Sequence, residues 1–394
     1  MIGDTVYLDH AATTPVDPKV LAAMQPFFQE HFGNPSSVYR LGQDARAVVD
    51  KARLAMAGVL SCQASEIIVT SGATESDNLA LSGVAWLARQ RHPEGPWPHI
   101  VTTAIEHSAV LYAAEWLAQQ GFAVSYVPCD DEGRVSAADV EALIRPETCL
   151  VSVMYANNEV GAIQPVAEIG AVARRHGVLF HTDAVQAAGV LTLNVDTLNA
   201  DLLTLSAHKF YGPKGVGLLY ARSGSHLAWT QRGGGQEGGR RGGTENVPGI
   251  VGMAVALAKA DARREAYNAH CRTLRDQLVH RLADVVPEMV VNGPSMGECR
   301  LPNNANLAFR GVQGETLLLT LDLQGVAASA GSACTAGKAE PSHVLEAMGH
   351  TPERCRSSVR FTLGWDNTAE EIDEVVDIVA NAVSHVRTLA GVAG

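Results

Sequence analysis

Short apolar runs, each closed by a cluster of polar or small residues, recur through the first two-thirds of the chain. They lie at residues 66–70, 99–103, 124–127, 148–154, 178–186, 202–205 and 216–219. Runs rich in Val, Ile and Leu and bounded by turn formers predict buried strands. Between them the apolar spacing becomes helical, from Ser71 through Leu79 and Leu81, over 135–144 and over 169–176. Strands alternating with helices imply a mainly parallel sheet covered on both faces, an α/β arrangement. Near the start, Tyr7 opens a short strand, and Asp17 caps a helix expected from Pro18 to about Glu30. Residues 250–285 hold few breakers and are predicted largely helical, joining two domains. The last third has strand patterns at 306–309 and 358–363. Thr368 and Glu371 there form a capping box, followed by Ile372, Val375, Val379, Val383 and Val386 at helical spacing. The expected organisation is a large α/β domain over 1–255 and a smaller α+β domain over 256–394. The first ~15 residues are free to pack on the smaller domain.

Composition narrows the class. The 394 residues suffice for two sizeable cores, and 46% hydrophobic content predicts a packed fold rather than disorder. A net charge of −12 argues against a nucleic-acid surface. No apolar run has the length of a membrane span, and the N-terminus lacks a basic region followed by an apolar core, so a cytoplasmic protein is expected. The seven cysteines are scattered, without a C-x-x-C pair, so no metal site is expected and a reducing compartment is inferred.

The chemistry concentrates where apolar runs end. The run at 202–205 leads into Ser206, His208 and Lys209, and Gly212-Pro213 then breaks the chain. A lysine just beyond a buried strand is partly desolvated, which favours attack on carbonyls. Taken alone, Lys209 reads better as a lysine turned back to solvent. The run at 178–186 changes that balance, because it carries Asp183 and Gln186. An acid and a lysine at two strand ends fit a pyridoxal phosphate site, the lysine holding the aldehyde and the acid keeping the pyridine nitrogen protonated. After the strand at 66–70, Ser71-Gly72-Ala73-Thr74 opens a helix and reads either as a plain cap or as a phosphate cradle. His107 stands at another strand-to-helix junction, the edge of an α/β sheet where ligands bind, although singly it reads as a structural histidine. Asn34 lies in a polar loop, either an ordinary turn or the rim of a site. Residues 232–243 form a glycine-rich loop with Arg232, Arg240 and Arg241, read as a flexible anion-binding loop that ends at Thr244. Residues 328–338 are almost all small and predict a mobile loop, with Cys334 as a candidate nucleophile. Arg360, inside an apolar strand, needs an anionic partner, and a substrate carboxylate would serve.

Together these segments resemble the NifS/IscS family of cysteine desulfurases. The resemblance runs from YLDHAATTP through TSGATESDN, IEHSAV, NNEVG, HTDAVQ, SAHKFYGPKG, GGGQEGGRRGGTEN and GSACTAG to SVRFTLG. It implies the aspartate-aminotransferase-like fold (fold type I of pyridoxal phosphate enzymes). It also implies an enzyme that converts L-cysteine to L-alanine and leaves a persulfide on Cys334. By the same resemblance, Lys209 binds the cofactor aldehyde and moves protons, Asp183 pairs with the pyridine nitrogen, and His107 stacks on the ring and acts in acid–base steps. Gln186 contacts the ring hydroxyl. Ala73, Thr74, Ser206 and His208 bind the phosphate, and Thr244 reaches the phosphate of the other subunit of a homodimer. Asn158 belongs to both the cofactor and substrate contacts. Arg360 and Asn34 hold the substrate. Sulfur then passes to an acceptor protein, with no membrane or direct nucleic-acid contact expected. The chain ends soon after the amphipathic helix, where IscS proteins tend to carry a longer tail, and on this point it looks closer to NifS. A selenocysteine lyase or another β-eliminating enzyme on the same fold, and a non-catalytic sulfur carrier, are the competing readings.

Overall fold

The computed structural model describes residues 5–330 and 341–391. The chain opens with β1 (Val6–Tyr7). The main sheet is then built from β2 (Ile67–Thr70), β3 (His99–Thr103), β4 (Ala123–Val127), β5 (Thr148–Ser152), β6 (Leu179–Asp183), β7 (Leu202–Ser206) and β8 (Gly217–Ala221). Their order is β2-β8-β7-β6-β5-β3-β4. The central pairs are parallel, and β8 alone among these seven runs against both its neighbours. β2, β7 and β8 are buried at every position, as expected for strands covered on both faces. One face is covered by the helix Ala73–Arg91 with Leu79, Leu81 and Val84 inward. The other is covered by Val166–Arg175 and Val247–Ala262, among others.

The smaller unit has an antiparallel sheet of β9 (Met289–Asn292), β10 (Asn304–Phe309) and, across β10 from β9, the later strand at Ser358–Thr362. β11 (Val326–Ala327) pairs in parallel with β1, and Leu8 joins the core of this unit beside Phe309 and Phe361. The N-terminal segment thus leaves the main sheet and packs on the small unit. The helix Ala369–Leu389 seats Ile372, Val375, Val379, Val383 and Val386 in the same core. Its first turn carries the capping box: Thr368 Oγ1 accepts from Glu371 N at 3.2 Å, and the Glu371 carboxylate accepts from Thr368 N at 3.1 Å. Such a cap contributes about 1 kcal/mol.

Two predicted elements differ, and one helix has no counterpart in the sequence pattern. The helix expected to run to about Glu30 divides into Pro18–Met24 and Pro26–Gln29, because Pro26 has no N–H to continue the ladder. Residues 250–285 are two helices, Val247–Ala262 and Arg264–Val285. Arg263 between them leaves helical geometry at φ −106° and ψ 8°, and its guanidinium lies 5.0 Å from the Tyr211 ring centre and 5.3 Å from that of Trp365. The 21-residue helix Arg40–Leu60, which packs on Val247–Ala262, was not read from the sequence. Among the described residues no helix is long and apolar enough to cross a membrane.

Gly161 ties the two units. Its φ of +74° favours glycine, and a Cβ there would stand 2.8 Å from Asn304 Cγ. Its carbonyl accepts from Leu301 N at 2.8 Å. This close approach holds the turn at Asn157–Val160 against the small unit.

Candidate active site

The carboxyl ends of the parallel strands converge on one cavity of about 480 Å³. β6 delivers Asp183 as its last residue. β7 ends in Ser206 and continues into a tight turn, Ala207–Lys209. That turn is closed by Gly212, where a Cβ would lie 2.8 Å from the Ala207 side chain and carbonyl oxygen. β2 hands over through Gly72 to the helix Ala73–Arg91, and β3 leads to His107 at the start of Ser108–Gln119. Ala73, Thr74, His107, Asn158, Asp183, Gln186, Ser206, His208, Lys209 and Arg360 all line the cavity. This is the sheet edge at which α/β folds bind ligands.

One end of the cavity suits a phosphate. Gly72 is the N-cap of a 19-residue helix, and no side chain caps it. Ser71, the alternative cap, instead donates its hydroxyl to Glu75 at 2.6 Å. The first-turn amides of Ala73 and Thr74 are therefore left to the cavity, beside the hydroxyls of Thr74 and Ser206. A Cβ at Gly217 would sit 2.7 Å from the Gly72 backbone, so only glycine lets β8 lie this close to the turn. Lys214 adds a cation to the wall. Glu75 is turned away by Arg241, whose Nε and Nη2 donate to it at 2.8 and 3.1 Å. Against burial, which pushes its pKa up, the bonds from Arg241 and Ser71 hold the Glu75 carboxyl below its ordinary value.

The other end holds the acid and the bases. Asp183 is buried and accepts from Val185 N at 2.9 Å. Burial pushes its pKa up to about 6, with the Val185 bond and the Lys209 charge opposing. Lys209 Nζ donates to the carbonyls of Ala11 and Ala12 at 2.6 and 2.7 Å. Gln186 Nε2 also donates to Ala11 O, at 3.0 Å. His107 accepts from Ala109 N at Nδ1, at 3.1 Å, so it caps its helix as a neutral ring. Burial, then the charges of Lys209 and His343, push its pKa down to about 4. His208 stands 3.1 Å from Thr13 Oγ1 through Nδ1, and burial with Lys209 and Lys214 brings it to about 4 as well. Among the described residues Asp183 is the one carboxylate on the cavity wall. An aromatic cation placed against it, with a phosphate at the helix start, matches the charges present, and pyridoxal phosphate has both.

Arg360 is 1% exposed, and its predicted need for an anion is met within the chain. Nη2 donates to Asp9 Oδ1 at 2.7 Å and Nη1 to Asn158 O at 2.8 Å. Asp9 was not recognised in the sequence, nor was Lys214. Asn34 and Thr244 do not reach this cavity. Both are exposed, and Asn34 Oδ1 accepts from Ser36 N at 2.9 Å within its own turn. Two of the three arginines of the glycine-rich loop, Arg240 and Arg241, are engaged within the chain. Arg241 holds Glu75, and Arg240 donates to Glu237 O and to Ser65 O, at 2.9 and 2.8 Å. Cys334 lies outside the described residues.

Behind Asp183, on the side away from the cavity, sit three groups the sequence reading passed over. Asp77, Glu106 and His181 are all fully buried. Asp77 follows Thr74 by three positions, so one helical face carries a cavity residue and a buried acid. That spacing was the available signal.

Residues 6–375 match the class-V aminotransferase family. A relative from Clostridium botulinum, cysteine desulfurase IscS, is 44% identical over 385 residues, covering 98% of this chain and 96% of that protein. A solved NifS-like protein superposes with a TM-score of 0.89 at 39% identity, covering 97% of this chain and all of the other. SspA in complex with cysteine superposes with a TM-score of 0.80 at 36% identity, over 91% and 99% of the two chains. The chain belongs to the class-V aminotransferase family, on the branch of the IscS and NifS-like cysteine desulfurases.

Proposed function

We propose that this enzyme takes sulfur from L-cysteine, releases L-alanine and holds the sulfur as a persulfide on Cys334 before an acceptor protein removes it. The observation that carries the reading is the pairing of Lys209 and Asp183 at neighbouring strand ends, with an uncapped helix start across the same cavity. Pyridoxal phosphate is the cofactor of this family, and when bound its chemistry is that of an electron sink for the substrate's Cα.

The chain's own groups divide the remaining work. With the cofactor bound, Asp183 would hold the pyridine nitrogen protonated, and Lys209 would hold the aldehyde. Ala73, Thr74, Ser206 and His208 bind the phosphate. Gln186 orients the ring, and the neutral His107 covers it. Arg360 receives the substrate carboxylate beside Asn158, already oriented by Asp9. Once the substrate's own amine has displaced it from the aldehyde, the freed Lys209 Nζ would take the proton from the substrate's Cα. The Cys334 thiolate attacks the substrate sulfur, so a sulfur–sulfur bond forms as the carbon–sulfur bond breaks. The carbon left behind is protonated to alanine. Asn34 and Thr244, exposed and outside the cavity, serve the site of a second copy in a homodimer. The protein works in a reducing cytoplasm.

Cys334→Ser tests the assignment. Incubated with cysteine, the variant is expected to keep the bound cofactor's colour and bind cysteine, yet form neither alanine nor a persulfide, because a hydroxyl is a far poorer nucleophile at sulfur. Alanine formed at the wild-type rate would remove Cys334 from the reaction and favour a simple β-eliminating enzyme.

A further inference from the structure

Asp77 projects from the helix Ala73–Arg91 into the layer between that helix and the sheet and is completely buried. Neither of its carboxylate oxygens has a partner in good hydrogen-bond geometry among the described residues; the Thr204 hydroxyl, which lies 3.1 Å from His181 Nε2, is the one donor near enough to lower its pKa. The one basic group recorded near it, His181 Nε2, stands 3.5 Å from Oδ1. That ring is itself engaged, Nδ1 with Ser152 Oγ at 2.8 Å and Nε2 with Thr204 Oγ1 at 3.1 Å, and burial pushes its pKa down to about 3. Glu106 closes the cluster. It is fully buried, and its Oε1 accepts from Thr103 Oγ1 at 2.8 Å and Met154 N at 2.9 Å. Its Oε2 has no partner among the described residues. Asp183 is the third acid, and it differs from the other two in facing the cavity and the Lys209 charge.

Three carboxylates cannot all be ionised in one dry layer, because unpaired buried charge is expensive and like charges repel. The structure assigns Asp77 and Glu106 as protonated, neutral positioning residues that leave a single negative charge in the cluster and localise it on Asp183. The placement supplies the reason for the choice. Asp183 alone of the three has both a backbone N–H at 2.9 Å and a cation across the cavity, whereas no cation faces the other two, and Glu106 Oε2 and both oxygens of Asp77 have no donor in good geometry among the described residues. The electrostatics point the same way: burial and then the Asp183 charge raise Asp77 well above its ordinary value against a bond from Thr204, and burial raises Glu106 to about 8 against its bonds from Met154 and Thr103. The charged and titratable groups facing the cluster are Asp183 and His181 from β6, Glu106 after β3, Asp77 from the helix, and Lys209 beyond Asp183. None but Lys209 brings a positive charge. The consequence is a fixed anion where the ring nitrogen would be held, with no second acid competing for the ring's proton.

The first test is independent of the cofactor. Infrared difference spectra of the apoprotein in H2O and D2O at neutral pH are expected to show two protonated-carboxyl bands. Asp77→Asn should remove one and Glu106→Gln the other, while Asp183→Asn should leave both. The absence of protonated-carboxyl bands from the unmutated apoprotein overturns the assignment, and no variant need fold for that result. The second test rests on the pyridoxal phosphate reading. With the cofactor bound, Asp77→Asn, a neutral isostere, should leave the pH titration of the visible absorbance within a few tenths of a unit of the wild type, whereas Asp183→Asn should shift or abolish it. An Asp77→Asn shift as large as that of Asp183→Asn means Asp77 carries charge, and the proposal fails. A protein that never binds the cofactor defeats the functional reading but leaves the infrared result standing.

Discussion

Glu106→Gln turns the buried cluster into a measurable stability difference whose sign depends on pH. The folded protein holds Glu106 protonated up to a pKa of about 8, against 4.5 for an ordinary glutamate. Between those values the folded state keeps a proton that the unfolded state has released, so wild-type stability falls as pH rises. The difference of about 3.5 units corresponds to about 5 kcal/mol once pH passes 8, and about 3 kcal/mol of it is present at neutral pH. Glutamine removes this dependence. Its carbonyl can keep both bonds that Oε1 now accepts, from Thr103 and Met154. Its amide must take the place of Oε2, which has no partner among the described residues, and an orphaned buried donor costs about 1–3 kcal/mol. The variant is therefore expected to be less stable than wild type by about 1–3 kcal/mol well below pH 4.5, where wild-type Glu106 is neutral in both states. It should be more stable by roughly 1 kcal/mol at neutral pH, and the gain should grow towards alkaline pH. Urea unfolding of the apoproteins at acid, neutral and alkaline pH measures this. A stability difference that stays constant across that range would show Glu106 to be ionised in the fold and would refute the reasoning.

Two further substitutions probe the site itself. Asp183→Asn should retain some cofactor yet lower turnover by about 10²–10³-fold, since the fixed anion at the ring nitrogen is lost; near-normal turnover in a cysteine-to-alanine assay would show that Asp183 does not hold the pyridine nitrogen. Arg360→Ala removes charge-assisted bonds of roughly 1.5–3 kcal/mol each, so the apparent KM for cysteine should rise by at least about tenfold; an unchanged KM would place the carboxylate contact elsewhere.

The resemblance to cysteine desulfurases and the large domain's alternating strands were legible because both reside in contiguous stretches. Short apolar runs encode β6 and β7, and a 3.6-residue spacing encodes the helix after β2; Lys209, Asp183 and Thr74 stand at the ends of those elements. A residue's place at a strand end is a local property. The break at Arg263 was not legible, because nothing in residues 250–285 announces it; the neighbours that accompany it are the Tyr211 and Trp365 rings, which arrive from other parts of the chain. Nor was the partner of Arg360: a buried arginine predicts an anion, but Asp9 lies 351 residues away and meets it through the packing of the N-terminal segment on the small unit. The glycine-rich loop misled for the same reason, since composition records its arginines but not that Glu75 stands within reach of Arg241. The protonated acids are the furthest from sequence. A carboxyl's charge depends on which atoms exclude water around it, and only the closing of helix on sheet determines that for Asp77 and Glu106.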